Sequence, residues 1–262
     1  MTGRDEYYNR AKQEGYRARS AYKLKQLDRT ADLIAPGDAV VDLGAAPGGW
    51  LQVAAEAVGD HGKVVGVDRQ RIDELDSHVV ETVRGDMTDE RTRDRLREAV
   101  GAAGEGEYPV DVVVSDLAPN MTGEYELDHA RSAHLARQAF ETALELLVPG
   151  GDFVVKVFEG RDLDDFRDDV AAEFEYVRTV SPDASREESS EVYVVGKGRI
   201  DAPVTEDQRL TVEVTDVGDE GDGVADVDGY TVFVPGAEAG ETVEVAVTDV
   251  KPRFAFAEQV ED

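Results

Sequence analysis

The stretch AVVDLGAAPGGW, residues 39 to 50, decides the fold. A short apolar run of β-formers ends in a turn carrying Gly44, Gly48 and Gly49. Small residues directly after a strand let the backbone approach a ligand lying above the strand ends. From this point the chain alternates β-rich runs with helical patterns. The runs are AVVDLG, KVVGVD, HVVETVRGD, VDVVVSD, DFVVKVF, EYVRTV and EVYVVGKG, and stretches such as LARQAFETALELL separate most of them. Such alternation specifies an α/β domain, doubly wound, with a mostly parallel seven-stranded Rossmann-like sheet and helices on both faces. The connection SPDASREESS before the last run has no helical pattern. A hairpin-like return therefore makes the last strand antiparallel to its neighbours.

After Gly198 the pattern changes to short β runs broken by Gly and Asp, as in VTDVGDEGDGVADVDGYTVFVPG. This predicts a small all-β barrel of about 60 residues. The expected domains are 1–198 and 199–262, with a linker near GRIDAPVTEDQ.

Composition narrows the chemistry. The chain of 262 residues has no cysteine, which removes disulfides, thiolate metal sites, iron–sulfur clusters and cysteine nucleophiles together. No run of 18 or more apolar residues occurs, and the N-terminus has no apolar signal-peptide centre, so a cytoplasmic protein without a membrane span is expected. A formal charge of −30 beside 41% hydrophobic residues fits a folded, halophilic protein whose acidic surface keeps it soluble in molar salt. An acidic protein that avoids nucleic acids is the alternative. Residues 1–25 go against the trend with seven basic and three acidic side chains, making them a candidate footprint for a phosphate backbone.

Lysine is scarce, seven residues against 21 arginines, yet Lys156 lies inside the apolar run GDFVVKVFEG. Asp116 ends the fourth run, and Glu191 begins the seventh. In a sheet whose last strand is antiparallel, these three converge at one edge, over the crevice where open α/β sheets bind ligands. A neutral Lys156 amine would accept a proton from an attacking hydroxyl, and an ammonium would stabilise the developing alkoxide. A lysine whose stem packs on the sheet while its head reaches water is the structural alternative. Asp68 closes the second run and Asp86 follows the third. The turn lacks the G-x-G-x-x-G spacing of a pyrophosphate site, and an acidic edge suits a cationic ligand bearing a ribose. S-adenosylmethionine meets those requirements.

Taken together, DLGAAPGGW, SDLAPNMTG, VVKVFEG and SREESSEVYVV resemble, in order and over roughly residues 5–198, the FtsJ/RrmJ family of ribose 2′-O-methyltransferases. The resemblance implies a catalytic tetrad of Lys23, Asp116, Lys156 and Glu191. It also implies an S-adenosyl-L-methionine site at Gly48, Trp50, Asp68, Asp86 and Asp116, with no metal. Lys25 is the rival for the first place; two residues apart on a helix, Lys23 and Lys25 point to nearly opposite faces, so only one can enter the site. The acidic insertion GEGEYP is unusual for an enzyme acting on RNA.

The C-terminal part resembles a TRAM domain, a small RNA-binding barrel, through DGYTVFVPGAEAGETVEVAV. There Lys251 and Arg253 stand beside Phe254 and Phe256, the mixture of cation and ring that single-stranded RNA binding uses. Burial of those rings in the barrel core is the other reading. The family implies a uridine of large-subunit ribosomal RNA, free or in an assembling subunit, as the substrate. Transfer RNA, or RNA binding without turnover in ribosome assembly, are the alternatives.

Other chemistries fit less well. Pyrimidine C5 methylation uses a cysteine nucleophile and radical methylthiolation an iron–sulfur cluster. Amino-group methylation carries a Pro-Pro-aromatic turn where this chain has DLAPN, and a nicotinamide dehydrogenase needs the missing pyrophosphate turn.

Overall fold

A computed structural model describes residues 4–102, 109–186, 189–218 and 221–260, with side chains from Glu6 onward. The insertion GEGEYP up to Tyr108, and Glu187 and Glu188 of the quoted motif, lie outside the described residues. By packing, the chain divides into two compact units, Met1–Ala172 with Tyr176–Lys197 and Glu173–Glu175 with Gly198–Asp262.

The chain runs through α1 (Arg4–Glu14), α2 (Ala21–Ala31), β1 (Ala39–Leu43), α3 (Gly49–Val58), β2 (Lys63–Asp68), β3 (Val80–Arg84), α4 (Glu90–Val100), β4 (Val110–Ser115), α5 (Tyr125–Leu146), β5 (Leu147–Phe158), α6 (Leu163–Ala171), β6 (Phe174–Val180) and β7 (Glu191–Arg199). These strands form one sheet in the order β3-β2-β1-β4-β5-β7-β6. β1 pairs in parallel with β2 and β4, β2 with β3, and β4 with β5, whereas β7 runs antiparallel to β5. Helices cover both faces, so β1, β2 and β4 are buried almost throughout and read as continuous Val-rich runs. One face packs Leu24 and Leu27 of α2 and Leu51 of α3 against Val40, Val64, Val112 and Val154.

Two elements run further than the sequence pattern shows. β5 starts at Leu147, five residues before DFVVKVF, and accommodates Pro149 and Gly150 beside an irregular register between Val110 and Val112 of β4. α5 starts at Tyr125, ten residues before its apolar stripe. Its early turns bury Asp128, His129 and Ser132 through hydrogen bonds instead of apolar packing.

The C-terminal unit contains β8 (Arg209–Val217), β9 (Gly223–Val227), β10 (Tyr230–Val234), β11 (Thr242–Val250) and β12 (Phe254–Gln259), closed into a barrel in the order β10-β12-β11-β8-β9. Asp228 and Gly229, both with positive φ, make the two-residue turn between β9 and β10. Val232, Val234, Ala255 and Ala257 point into the barrel. The period of two then puts Phe233, Phe254 and Phe256 on its outer face. This excludes the core reading of Phe254 and Phe256. The three rings meet with centroids 5.4–5.7 Å apart, and Phe256 remains 37% exposed.

Candidate functional site

The carboxyl ends of β1, β2, β4 and β5 and the start of β7 share one sheet edge, and the turn after β1 opens it. Gly44 and Gly48 there adopt φ of +87° and +107°. A Cβ on Gly44 would stand 2.7 Å from Leu117 Cδ2, so a side chain is excluded by both conformation and space.

Register places the charged groups. Ser115 pairs with Val155, which brings Asp116 beside Lys156, and Lys156 pairs directly with Tyr193 across β7. Lys156 Nζ donates to the Asp116 carbonyl at 2.7 Å and to Asp116 Oδ1 at 2.9 Å. The Tyr193 hydroxyl donates to the same Oδ1 at 2.7 Å. Two residues along β7 on the same face, Glu191 Oε1 lies 2.5 Å from Lys23 Nζ, an ion pair shielded from solvent. Lys23 Nζ also stands 5.8 Å from the centroid of the Tyr193 ring. The four residues of the expected tetrad are therefore gathered as two ion pairs with Tyr193 between them.

The electrostatics follow from this packing. Burial alone would raise the Asp116 carboxyl, but the charges of Lys156 and Lys23 and the hydrogen bonds from Lys156 and Tyr193 outweigh it and hold the group below the usual carboxylate range. Burial, then the charges of Asp116 and Glu191, push the Tyr193 phenol well up, so it stays a proton donor. Lys25 points the other way, forming an exposed ion pair with Glu56 at 3.3 Å and lying over the Tyr16 ring. Of the two rivals, Lys23 is the one that faces Glu191.

On the other side of the crevice, Asp68 Oδ2 accepts from Ala46 N at 3.0 Å and Oδ1 from Gln70 N at 2.7 Å. A carboxylate has about four acceptor positions, so room for ribose hydroxyls remains. Asp86 accepts from the backbone and hydroxyl of Thr88; these bonds, led by the backbone one, lower its carboxyl despite some burial. Gly48 caps α3 without a side chain, and the first N–H groups of a helix are suited to an anion. Trp50 follows Gly49 in the first turn of α3. Its indole is buried, donates to Ser20 O at 2.7 Å and packs 5.9 Å from the Tyr193 ring, leaving its backbone at the helix start.

Two members of this site were not among the expected residues. Tyr193 was signalled by strand alternation, two positions from Glu191. Asp42 was signalled by an acid within the apolar run VVDL, the same anomaly that marks Lys156. Asp42 is fully buried, and neither carboxylate oxygen has a hydrogen-bond partner among the described residues. Burial first, then the charges of Asp116 and Asp68, raise its carboxyl well above the ordinary value. An orphaned acid beneath the glycine turn, backed by Asp68 and Asp116, fits a ligand that brings positive charge.

Five cations of the basic N-terminal segment have partners within the protein. Arg10 bonds Glu14, Lys23 and Lys25 are paired as described, and Arg19 donates to Ala184 O at 2.7 Å. Arg17 donates to the carbonyls of Asp73 and Glu74, each at 2.6 Å, and to Pro47 O at 3.3 Å, clasping the glycine turn to the loop after β2. Most of these cations thus tie the fold together.

Residues 16–199 match the FtsJ-like methyltransferase family, and residues 203–260 match the TRAM domain. The chain is 68% identical over 261 residues to a ribosomal RNA large subunit methyltransferase E of Halorubrum lacusprofundi, covering 100% of this chain and 95% of that protein. It is 67% identical over 261 residues to the protein so described in Natronomonas pharaonis, covering 100% of both. Among solved structures, a Plasmodium falciparum protein assigned as a ribosomal RNA methyltransferase superposes with a TM-score of 0.61 at 24% identity, over 70% of this chain and 98% of that one, a likeness of fold.

Proposed function

Since the chain belongs to the FtsJ-like methyltransferase family and carries a TRAM domain behind it, we propose that it methylates a ribose 2′-oxygen, that of a uridine, in large-subunit ribosomal RNA. The donor is S-adenosyl-L-methionine, which supplies an electrophilic methyl group when bound. Asp68 and Asp86 would hold its ribose and base end, and the α3 N-terminus with Gly48 and the Trp50 backbone would hold its carboxylate. Asp42 and Asp116 would face its positive charge.

The observation that carries the reading is the bonding of Lys156. Asp116 takes two of its N–H groups, in line with a 2.7 Å and a 2.9 Å contact. In either protonation state one position on Nζ is left: a third N–H in the ammonium, a lone pair in the amine. That position meets the 2′-hydroxyl, to bind the developing oxyanion or to take the proton. Asp116 fixes the lysine head, Tyr193 fixes Asp116, and the Lys23–Glu191 pair lines the opposite wall and orients the ribose. The buried setting excludes water, and alignment of oxygen with methyl supplies much of the rate. The barrel adds RNA affinity, with its outer phenylalanine trio beside Lys251 and Arg253 as the stacking surface.

The test combines transfer and binding. The full chain should transfer tritium from labelled donor to ribosomal RNA and leave an alkali-resistant linkage at the modified ribose. Lys156→Ala should abolish transfer while calorimetric donor affinity stays within about threefold, a small fraction of a binding free energy. Wild-type turnover in that variant, or a methyl found on a base, sinks the proposal.

A further inference from the structure

Seven large apolar side chains are conspicuously exposed among the described residues, and three of them fall within residues 121–127: Met121 at 64%, Tyr125 at 61% and Leu127 at 39%. This cluster belongs to the segment that leaves β4 at Asp116 and enters α5. The segment is fastened. Thr122 N, Thr122 Oγ1 and Gly123 N donate to the buried Asp128 carboxylate at 2.8–2.9 Å. The start of α5 is in turn bonded to the end of β5: Phe158 N donates to Ser132 Oγ, His129 Nδ1 meets Phe158 O, and Asp162 N donates to His129 Nε2, each at 3.1 Å.

Tyr125 is the telling residue. Its hydroxyl donates to Glu159 O at 2.7 Å, and Glu159 N donates to Ser190 O at 2.7 Å, directly before Glu191. One end of the ring is thereby pinned beside the tetrad, while most of its surface stays open to solvent. A ring held still at its polar end has little freedom left to lose on binding. The neighbouring residues 117–123, LAPNMTG, are uncharged in a chain where 33% of residues are charged. The charges against them are the buried Asp128 carboxylate and Arg131, whose guanidinium lies 3.5 Å from Asn120 O and offsets that carboxylate. An uncharged stretch backed by an acid buried beside its own cation repels a polyanion less than the acidic surface around it.

We propose that Tyr125 and Met121 form a stacking wall for one unpaired RNA base, that of the methylated nucleotide or its immediate neighbour. The inference rests on the ribose-methylation reading, because a ribose seated at Lys156 carries its own base and its neighbour's to within one nucleotide of the site. Rings and thioethers suit the π face of any base, so the wall sets the pose of the nucleotide and leaves its identity to other contacts.

The experiment uses the full chain and, once the methylated position is mapped, a ribosomal RNA fragment with 2-aminopurine beside it. Tyr125→Ala should raise KM for this RNA about tenfold, within the usual range for one stacked base, and abolish the quenching of 2-aminopurine on binding. Calorimetric donor affinity and the Trp50 melting curve should not move. Tyr125→Phe, which keeps the ring but loses its anchor to Glu159 O, should recover quenching and most of KM; Met121→Ala should show a weaker form of the defect. Tyr176→Ala, an equally exposed tyrosine on β6, should change neither. Unchanged KM and quenching in Tyr125→Ala overturn the proposal, as does a defect shared equally with donor binding or a Tyr125→Phe variant as impaired in KM and quenching as Tyr125→Ala. Intact quenching contrasts together with a methyl located on a base would instead count against the ribose reading and leave the stacking wall standing.

Discussion

Replacing Lys23 by methionine tests the core of the site through stability as well as rate. Its ammonium lies 2.5 Å from Glu191 Oε1, with both side chains about one-tenth exposed. Two unit charges at that distance attract by roughly 6–7 kcal/mol at an effective dielectric of 20, and desolvation of the pair cancels much of it. Removing one partner leaves a carboxylate buried without its cation, which costs about 3–5 kcal/mol. For a domain of this size, that is a fall of about 10 °C in Tm. Lys25→Met is the built-in control. Its partner Glu56 is 3.3 Å away and largely solvated, so the loss should be below about 1 kcal/mol. Trp50 is the sole tryptophan and lies buried in the first unit, so its fluorescence follows that unit's melting without interference from the barrel. Melts in molar potassium chloride should separate the two variants clearly. The double variant Lys23→Met/Glu191→Gln should recover most of the stability and none of the methyl transfer. Equal losses in Lys23→Met and Lys25→Met would refute the assignment of Lys23 to the buried pair.

Asp42→Asn should reveal a raised carboxyl: the folded acid holds its proton above the unfolded value of about 3.9, so it favours the fold below that pH and loses that contribution as pH rises. The variant should therefore gain in Tm relative to the parent from about pH 4 upward, with weaker donor binding at pH 7; a pH-independent difference contradicts the shift. Asp68→Ala should weaken donor binding by roughly 1–3 kcal/mol through lost charge-assisted hydrogen bonds, read by calorimetry, and undiminished affinity would remove it from the donor site. RNA affinity of the full chain should be flat or rising up to molar potassium chloride, because the Debye length there shrinks to about 3 Å and repulsion from a protein of −30 charge fades. A steep fall in filter binding, as counterion release gives in basic proteins, would contradict this, and a chain ending at Ile200 that binds RNA equally well would remove the barrel from the interface.

Much of this arrangement was legible in the sequence because strands carry position in a simple code. Alternation and strand order suffice to bring Asp116, Lys156 and Glu191 to one edge, and the glycine turn marks that edge. What stayed hidden has physical reasons. The early turns of α5 bury Asp128, His129 and Ser132, polar residues that leave no apolar stripe, and β5 begins across Pro149 and Gly150, residues that ordinarily end strands. The outer placement of Phe254 and Phe256 depends on which parity of β12 faces the barrel axis. Small residues fill the inward positions there, Ala255 and Ala257, and hydrophobicity alone ranks them below the rings. The carbonyl partners of Arg17 and Arg19 were hidden for a similar reason, since a charge count does not distinguish a cation that meets solvent from one that caps a carbonyl.

The order of the strands has a consequence for the timing of activity. β6 leaves the ribosome before β7, yet β7 lies between β5 and β6 in the finished sheet. The chain up to Val180 carries β1 to β5, and with them the glycine turn, Asp68, Asp116 and Lys156. Glu191 and Tyr193 arrive only with the strand that must slot in next, and until then Asp116 lacks one of its two bonded partners and Lys23 lacks its counter-charge. The proposed acceptor half of the site is thus completed only by the strand that comes last in the sequence of the sheet, and a chain without β7 would have no complete centre.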